Sequence, residues 1–295
     1  MASPLSSLKV QAPAKLNIRL KVTGRRPDGY HDLVSIMVPV SLYDIIELAT
    51  VESPGIRLSC QASAVPEDQT NLVFRAAQAF FLRCGLQKGI SIKLTKHIPV
   101  AAGLGGGSSD AAHTLLALNR MWSNPLTLDD LAEMALALGA DVPFFLHNMP
   151  CIARGVGEIL HPIANWPILW YVIVSPPISV STSWVYQNLR LRLTTDEYAH
   201  IMYFLEKKTL DLGTLLENDL ETVTVPHFPV IGSIKESLMN AGAEGALMSG
   251  SGPSVFGIFK TKDRALAAKR HLGPRNFGEV FVVETYCSEA VVSVT

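Results

Sequence analysis

The chain has 295 residues, of which 48% are hydrophobic and 17% charged, and its formal net charge at pH 7 is −1. That composition excludes a disordered chain and leaves room for two domains. With so little net charge there is no single-sign field to draw in nucleic acid or an anionic membrane, so the expected partner is a small molecule. The opening MASPLSSLKVQAPAKLN lacks the long apolar core of a signal peptide, and the longest apolar stretch, Ile168 to Val174, is far short of a bilayer span. Cys60, Cys84, Cys151 and Cys287 lie far apart with no CxxC pair, which argues against structural zinc and for free thiols in a reducing compartment. A cytoplasmic protein, monomeric or homodimeric, is expected.

In chain order, the first clear element runs from Lys15 to Val22. Lys15, Asn17, Arg19 and Lys21 alternate with Leu16, Ile18, Leu20 and Val22, which predicts a strand with one polar face. The segment RRPDGYH then signals a turn at Pro27, Asp28 and Gly29. Val73, Ala76, Ala77, Phe80, Phe81 and Cys84 share one face of a helix over 71–84. The next segment, GISIKLTKHIP, is a strand in which Ile90, Ile92 and Leu94 alternate with polar residues and which stops at Pro99.

Residues 99–112 read PVAAGLGGGSSDAA. After the glycines a helix is predicted from Ala111 to Trp122, with Ser108, Ser109 or Asp110 supplying its N-cap. A further helix spans Leu128 to Leu138, opened by a Thr127–Asp130 capping box and stopped at Gly139. Prolines cluster at 160–168 and the pattern restarts, so the expected domains are 1–165 and 166–295. The second half predicts a strand at 168–174 and helices near 195–207 and 229–241. Two strands around the glycine turn in ALMSGSGPSVFGIF follow, then a helix over 263–272 and a strand over 278–285. The order strand, helix, strand, strand, helix, strand suggests a ferredoxin-like α+β sandwich.

The glycine stretch is the most chemical feature. A linker would be polar and join independent units, whereas here a strand leads in and a helix leads out at once. Glycines let backbone N–H groups approach an anion, and a helix start adds unpaired donors and positive dipole. The stretch is no Walker loop, because no Lys follows the glycines. It fits GxGxxG poorly, with Ser108 at the third glycine and no acidic residue about 20 positions on. These residues predict a phosphate at a helix start and leave the reaction open.

Together with APAKLNIRLKVTGRRPDGYHDL, LGADVPFFL, GVGE and MSGSGPSVFG, the stretch PVAAGLGGGSSDAA resembles the GHMP kinases over residues 12 to 257. PAKLN and DGYH narrow the likeness to the branch whose substrate is a cytidyl diphosphate sugar alcohol of the non-mevalonate isoprenoid route. The resemblance implies an α+β two-domain fold: an N-terminal GHMP kinase domain like ribosomal protein S5 domain 2, carrying the ATP loop, and a C-terminal ferredoxin-like α/β sandwich. It also implies transfer of the ATP γ-phosphoryl group to the tertiary 2-hydroxyl of a methylerythritol moiety.

By the same resemblance, Asp141 is the catalytic aspartate and Lys15 the catalytic lysine. Read alone, Asp141 would be an ordinary loop or capping residue, and Arg19 and Lys21 solvated strand-face cations. ATP would be held by Pro99, Val100, Ala101, Ala102, Gly103, Leu104, Gly105, Gly106, Gly107, Ser108 and Ser109, with Asn71 and Lys96 near the adenine. Tyr30 and His31 would stack on and hydrogen-bond the cytosine, as an aromatic plane and an imidazole suit a flat heterocycle. Asn17, Thr182 and Tyr186 would complete the substrate side, although relatives more often carry Phe at the position of Tyr186. Mg²⁺ is expected as the partner of ATP, and no carboxylate cluster marks its ligands. Arg154, just before GVGE, departs from the acidic or small residue usual there. A GHMP kinase for homoserine or a mevalonate derivative, which Tyr30 and His31 argue against, and a non-catalytic nucleotide or sugar sensor are the alternatives.

Overall fold

A computed structural model describes residues 5–61, 65–190, 197–206 and 215–286. Cys287 and positions 195, 196 and 207 of one expected helix lie outside them.

Two long antiparallel strands, β1 (Ser7–Arg25) and β2 (His31–Val51), form the spine, and the RRPDGY turn joins them. β3 (Gly55–Cys60), β4 (Gly89–Thr95), β5 (Cys151–Gly155), β6 (Ile159–Pro162) and β8 (Glu217–Asn218) complete a sheet of order β3-β4-β2-β1-β8, with β5 beside β2 and β6 beside β5. The helices α1 (Leu72–Arg83), α2 (Gly106–Met121) and α3 (Leu128–Leu138), with the short α4 (Phe144–His147), pack on one face of this sheet. There Phe80, Leu115, Leu118 and Phe144 meet Ile90, Ile92 and Leu94.

The second sheet has the order β11-β7-β10-β9, with β7 at Trp170–Ser175, β9 at Gly245–Met248, β10 at Val255–Phe259 and β11 at Glu279–Glu284. Its pairings are all antiparallel. Numbered within the sheet, the order is 4-1-3-2. With α8 (Pro229–Asn240) and α9 (Lys262–Leu272) at their places in the chain, this is the ferredoxin-like arrangement expected. Ile231, Ile234, Leu238, Ala265 and Leu272 of those helices cover one face. On the other face Tyr171, Ile173, Phe256 and Ile258 pack against Leu16, Ile18 and Val38 of β1 and β2, so the two sheets share a core.

Between β7 and α8 the chain inserts α5 (Thr182–Asn188), α6 (Glu197–Glu206), β8 and α7 (Glu221–His227). This insertion changes the meaning of the polar face of β1. Arg19 and Lys21 are buried, not solvated. β8 runs parallel to β1, pairing Arg19 with Glu217 and Leu20 with Asn218. Arg19 bonds Glu197 and Glu217 at 3.0 and 2.8 Å, and Lys21 bonds Asp219 at 2.8 Å as well as Glu217. Burial alone would lower the Lys21 pKa, but the bonds and charges of Asp219 and Glu217 outweigh it and raise the value. A buried charge needs such partners, and the second half of the chain supplies them.

Two expected helix ends compare differently with the structure. α3 carries the Thr127–Asp130 capping box with both reciprocal bonds and stops at Gly139. α2 starts at Gly106, five residues before the expected Ala111, and its N-cap is Gly105 in the left-handed region with no side-chain cap. Ser108, Ser109 and Asp110 are therefore helical residues and not caps. The glycines themselves form the first turn, and the N–H groups at an α-helix start have no acceptor within the helix.

Candidate active site

One cleft of about 760 Å³ is lined by Lys15, Asn17, Tyr30, His31, Gly103, Gly105, Ser108, Asp141, Thr182 and Tyr186, together with Gly157, Gly250 and Ser251. The residues come from β1, the β1–β2 turn, the start of β2, the glycine loop and start of α2, the loop after α3, the β5–β6 turn, α5 and the β9–β10 turn.

Lys15 is 5% exposed and Asp141 is 40% exposed, and Lys15 Nζ stands 3.3 Å from Asp141 Oδ2. A second acceptor, Asn17 Oδ1, holds the same ammonium. Asn17 Nδ2 donates to Ser35 Oγ at 2.9 Å, and that hydroxyl donates to Arg19 O at 2.6 Å, which fixes the carboxamide. Both ends of Asn17 are thus engaged in orienting Lys15.

The glycine loop is fitted to this lysine. Gly105 has φ +73, and a Cβ there would lie 2.9 Å from Lys15 Cγ and 2.8 Å from Phe145 Cζ. Only a residue without a side chain lets the loop cross the lysine stem in that conformation. Gly103, at φ +78, is pressed against the second glycine turn, since a Cβ there would be 2.1 Å from Ser249 O. Ser249 Oγ donates to Gly103 O at 2.9 Å and accepts from Asn17 N at 3.2 Å. Asn218 Nδ2 donates to Met248 O and Gly250 O, both at 2.8 Å, which holds that turn in place. Asn218 carries no local signal of this role. MSGSGPSVFG showed a turn, but its docking onto Gly103 is a contact over some 146 residues of sequence that no local pattern encodes.

At the far end of the cleft, His31 and Tyr186 stack with ring centroids 5.1 Å apart and planes at 31°. Burial and the nearby charge of Arg25 lower the His31 pKa, so the ring is a neutral donor–acceptor near pH 7. Burial, with the charge of Asp141, pushes the Tyr186 phenol far up and keeps it protonated. Tyr30 is 61% exposed, an open aromatic face at the cleft rim. Thr182 Oγ1 lies 2.7 Å from Ser251 Oγ, tying α5 to the β9–β10 turn.

Asn71 and Lys96 do not line the cleft. Asn71 caps α1, accepting from Val73 N at 2.9 Å and donating to Pro66 O at 2.7 Å. Lys96 is buried beneath the start of α2, bonded to Asp44 and, at 2.6 Å, to Asp110. Asp44 also accepts from His97 N and Ile98 N at 2.6 and 2.9 Å. Burial, with the nearby Asp44 carboxylate, pushes the Asp110 pKa up, against the opposing pull of Lys96. Arg154 turns away from the loop it precedes: its guanidinium lies over the Tyr198 ring, 4.5 Å from the centroid.

The arrangement joins an anion cradle, a buried ammonium paired with a half-exposed carboxylate, and an aromatic clamp in one cleft. Residues 71–149 match the N-terminal domain of the GHMP kinases, and residues 203–278 match their C-terminal domain. A protein of Syntrophotalea carbinolica named 4-diphosphocytidyl-2-C-methyl-D-erythritol kinase is 50% identical over 274 residues, covering 92% of this chain and 97% of its own. The chain belongs to the 4-diphosphocytidyl-2-C-methyl-D-erythritol kinase family of GHMP kinases. A relative of the same name from Geobacter metallireducens is 48% identical, with 95% of this chain and 98% of the relative covered. A crystal structure of 4-(cytidine 5'-diphospho)-2C-methyl-D-erythritol kinase superposes with a TM-score of 0.81 at 36% identity, covering 95% of this chain and 100% of that one. A homoserine kinase from Cytophaga hutchinsonii, at 22% identity and TM-score 0.77, shares the fold. As a GHMP kinase the enzyme is an ATP-dependent phosphotransferase. No helix among the described residues is long and apolar enough to cross a membrane.

Proposed function

We propose that this kinase transfers the γ-phosphoryl group of ATP to the 2-hydroxyl of 4-diphosphocytidyl-2-C-methyl-D-erythritol. The observation that carries the proposal is the Lys15–Asp141 pair, 3.3 Å apart, facing the glycine-lined start of α2 in one cleft. Phosphoryl transfer is mainly positioning and charge stabilisation. Asp141, half exposed to the cleft, takes the proton of the tertiary hydroxyl as its oxygen attacks phosphorus. Lys15 steadies the carboxylate and offsets charge on the transferring group. The uncapped N–H groups at the start of α2 receive phosphate oxygens, and the glycines leave no Cβ in the way. His31 and Tyr186 hold the cytosine, with Tyr30 closing over it from the rim.

Mg²⁺ accompanies ATP and neutralises charge on the phosphates when bound. Among the described residues no three His, Cys, Asp or Glu side chains gather to hold a metal. The described residues supply no such cage, and in this reading the ion's ligands would come chiefly from the nucleotide. Residues 1–165 act in this reading as the ATP-binding lobe and 166–295 as the lobe that closes the substrate side.

ADP release measured over a panel of 4-diphosphocytidyl-2-C-methyl-D-erythritol, homoserine and mevalonate tests the proposal. Turnover is expected with the cytidyl substrate. Faster turnover of homoserine or mevalonate would overturn the specificity, and ATP binding without turnover of any substrate would favour a sensor.

A further inference from the structure

Two permanently cationic side chains line the cleft among the described residues, Lys15 and Arg25. Lys15 is already committed to Asn17 and Asp141. Arg25 is exposed and, among the described residues, makes no ion pair. Its neighbour Arg26 differs sharply, bonding Asp28 at 3.2 Å and Asp32 at 3.7 Å. Asp28, the acidic residue of the same turn that reaches the cleft, is occupied by Arg26 and by Tyr30 N, which donates to it at 3.0 Å. The turn thus neutralises one arginine and leaves the other free beside the site.

The strand register says where Arg25 points. It is the antiparallel partner of His31, and residues directly opposite in an antiparallel pair project from the same face. Its charge adds to burial in lowering the His31 pKa. In a cytidyl diphosphate sugar alcohol, the diphosphate lies covalently between the base and the reacting alcohol. It must therefore pass between the His31–Tyr186 stack and the Lys15–Asp141 pair, beside Arg25.

We propose that Arg25 is a substrate-recognition residue that binds the diphosphate of the cytidyl substrate. This assignment rests on the base-binding role given above to His31 and Tyr186. A guanidinium suits the task, since its planar fork can give two parallel N–H bonds to phosphate oxygens. It also supplies a contact that no cytidine lacking phosphate could use, so the enzyme would reject the bare nucleoside.

Calorimetric titration of cytidine and of CDP into wild-type enzyme and R25A provides the test. Wild type is expected to bind CDP about tenfold or more tighter than cytidine, as a charge-assisted hydrogen-bonded pair implies. In R25A that preference falls to within about twofold while the affinity for cytidine is unchanged, because the bare nucleoside has no phosphate for Arg25 to hold. A preference for CDP retained in R25A overturns the Arg25 assignment alone. Wild type that binds neither compound overturns this assignment and the base-binding role on which it rests. Arg25 is exposed and makes no ion pair among the described residues, so circular dichroism of R25A should match wild type.

Discussion

Lys15 Nζ and Asp141 Oδ2 stand 3.3 Å apart although 126 positions separate them in the chain, one on a strand and the other just past a helix stop. The lysine is almost wholly buried and the carboxylate is not. This asymmetry gives the carboxylate room to meet a hydroxyl and holds the ammonium rigidly behind it. General-base assistance is typically worth about 10²–10⁴-fold. Asp141→Asn is nearly isosteric and should lower kcat by at least about 10²-fold, with KM for ATP close to wild type. A kcat within a few-fold of wild type would remove Asp141 from the role of base.

The His31–Tyr186 stack predicts a different signature. Stacking of a base on an aromatic ring is worth about 1–3 kcal/mol, so Tyr186→Ala should weaken the cytidyl substrate by roughly tenfold or more. Tyr186→Phe keeps the plane and should stay within about twofold. His31 has a pKa below 6.5, so substrate affinity should be flat near neutrality and change only as the pH falls through that lowered value and the imidazole gains a proton. Measuring KM for both variants, and for wild type from pH 5 to 8, checks both parts. Equal KM in the Ala and Phe variants would show that the ring does not meet the base.

Much of the fold was legible because its elements carry local signals. The capping box at Thr127 and Asp130 and the alternation of Ile90, Ile92 and Leu94 formed as local pattern dictates, though the strand carrying it ends at Thr95 and not at Pro99. The ferredoxin-like order of the second sheet also formed, interrupted by α5, β8 and α7, for which the sequence carried no clear signal. Where local signals fall silent, distant contacts decide. The cations at positions 19 and 21 looked solvated because Glu197, Glu217 and Asp219, which bury and pair them, are some 180 to 200 residues away in sequence. The start of α2 was misplaced because glycine opposes helix formation locally, yet here glycine forms the first turn. Lys96 illustrates the limit for the site: its sequence neighbourhood says nothing of Asp44 and Asp110, which hold it beneath the loop.

Gly105 makes the loop's geometry testable. An alanine there must adopt φ +73 and must displace Lys15 Cγ or Phe145 Cζ, which would lie within 2.9 Å of the new methyl. A non-glycine residue held in the left-handed region costs about 1–3 kcal/mol. Gly105→Ala should therefore lower the denaturation midpoint and, by shifting the lysine stem, reduce kcat by at least about tenfold, on the order seen when a reacting group is misplaced. Gly107→Ala separates crowding of Lys15 from crowding of the phosphates. Its Cβ would meet Leu72 Cδ1 at an ordinary 3.7 Å and leave the lysine stem in place. It should keep the denaturation midpoint, and any loss of activity it shows arises at the nucleotide. If the two variants lose activity and stability equally, crowding of Lys15 is not the cause.

His113 of α2 gives the clearest pH dependence. It is buried, and Nδ1 lies 2.8 Å from Ser109 O while Nε2 lies 2.9 Å from Asn148 Nδ2. As a carbonyl accepts and an amide N–H donates, Nδ1 carries the proton and Nε2 is the acceptor, which describes a neutral ring. Burial lowers its pKa from 6.5 to about 4, against a small opposing effect of the Ser109 carbonyl. The unfolded chain therefore takes up a proton near pH 6.5 that the folded chain refuses until about pH 4. Stability from this group is present above pH 6.5, declines as the pH falls from 6.5 to 4, and is level below. The shift corresponds to a loss of roughly 3 kcal/mol over that window. Urea denaturation at pH 7.5 and pH 4.5 should show this loss in wild type and a smaller one in His113→Gln, whose side chain does not titrate. An equal loss in both proteins would assign the acid sensitivity to other groups.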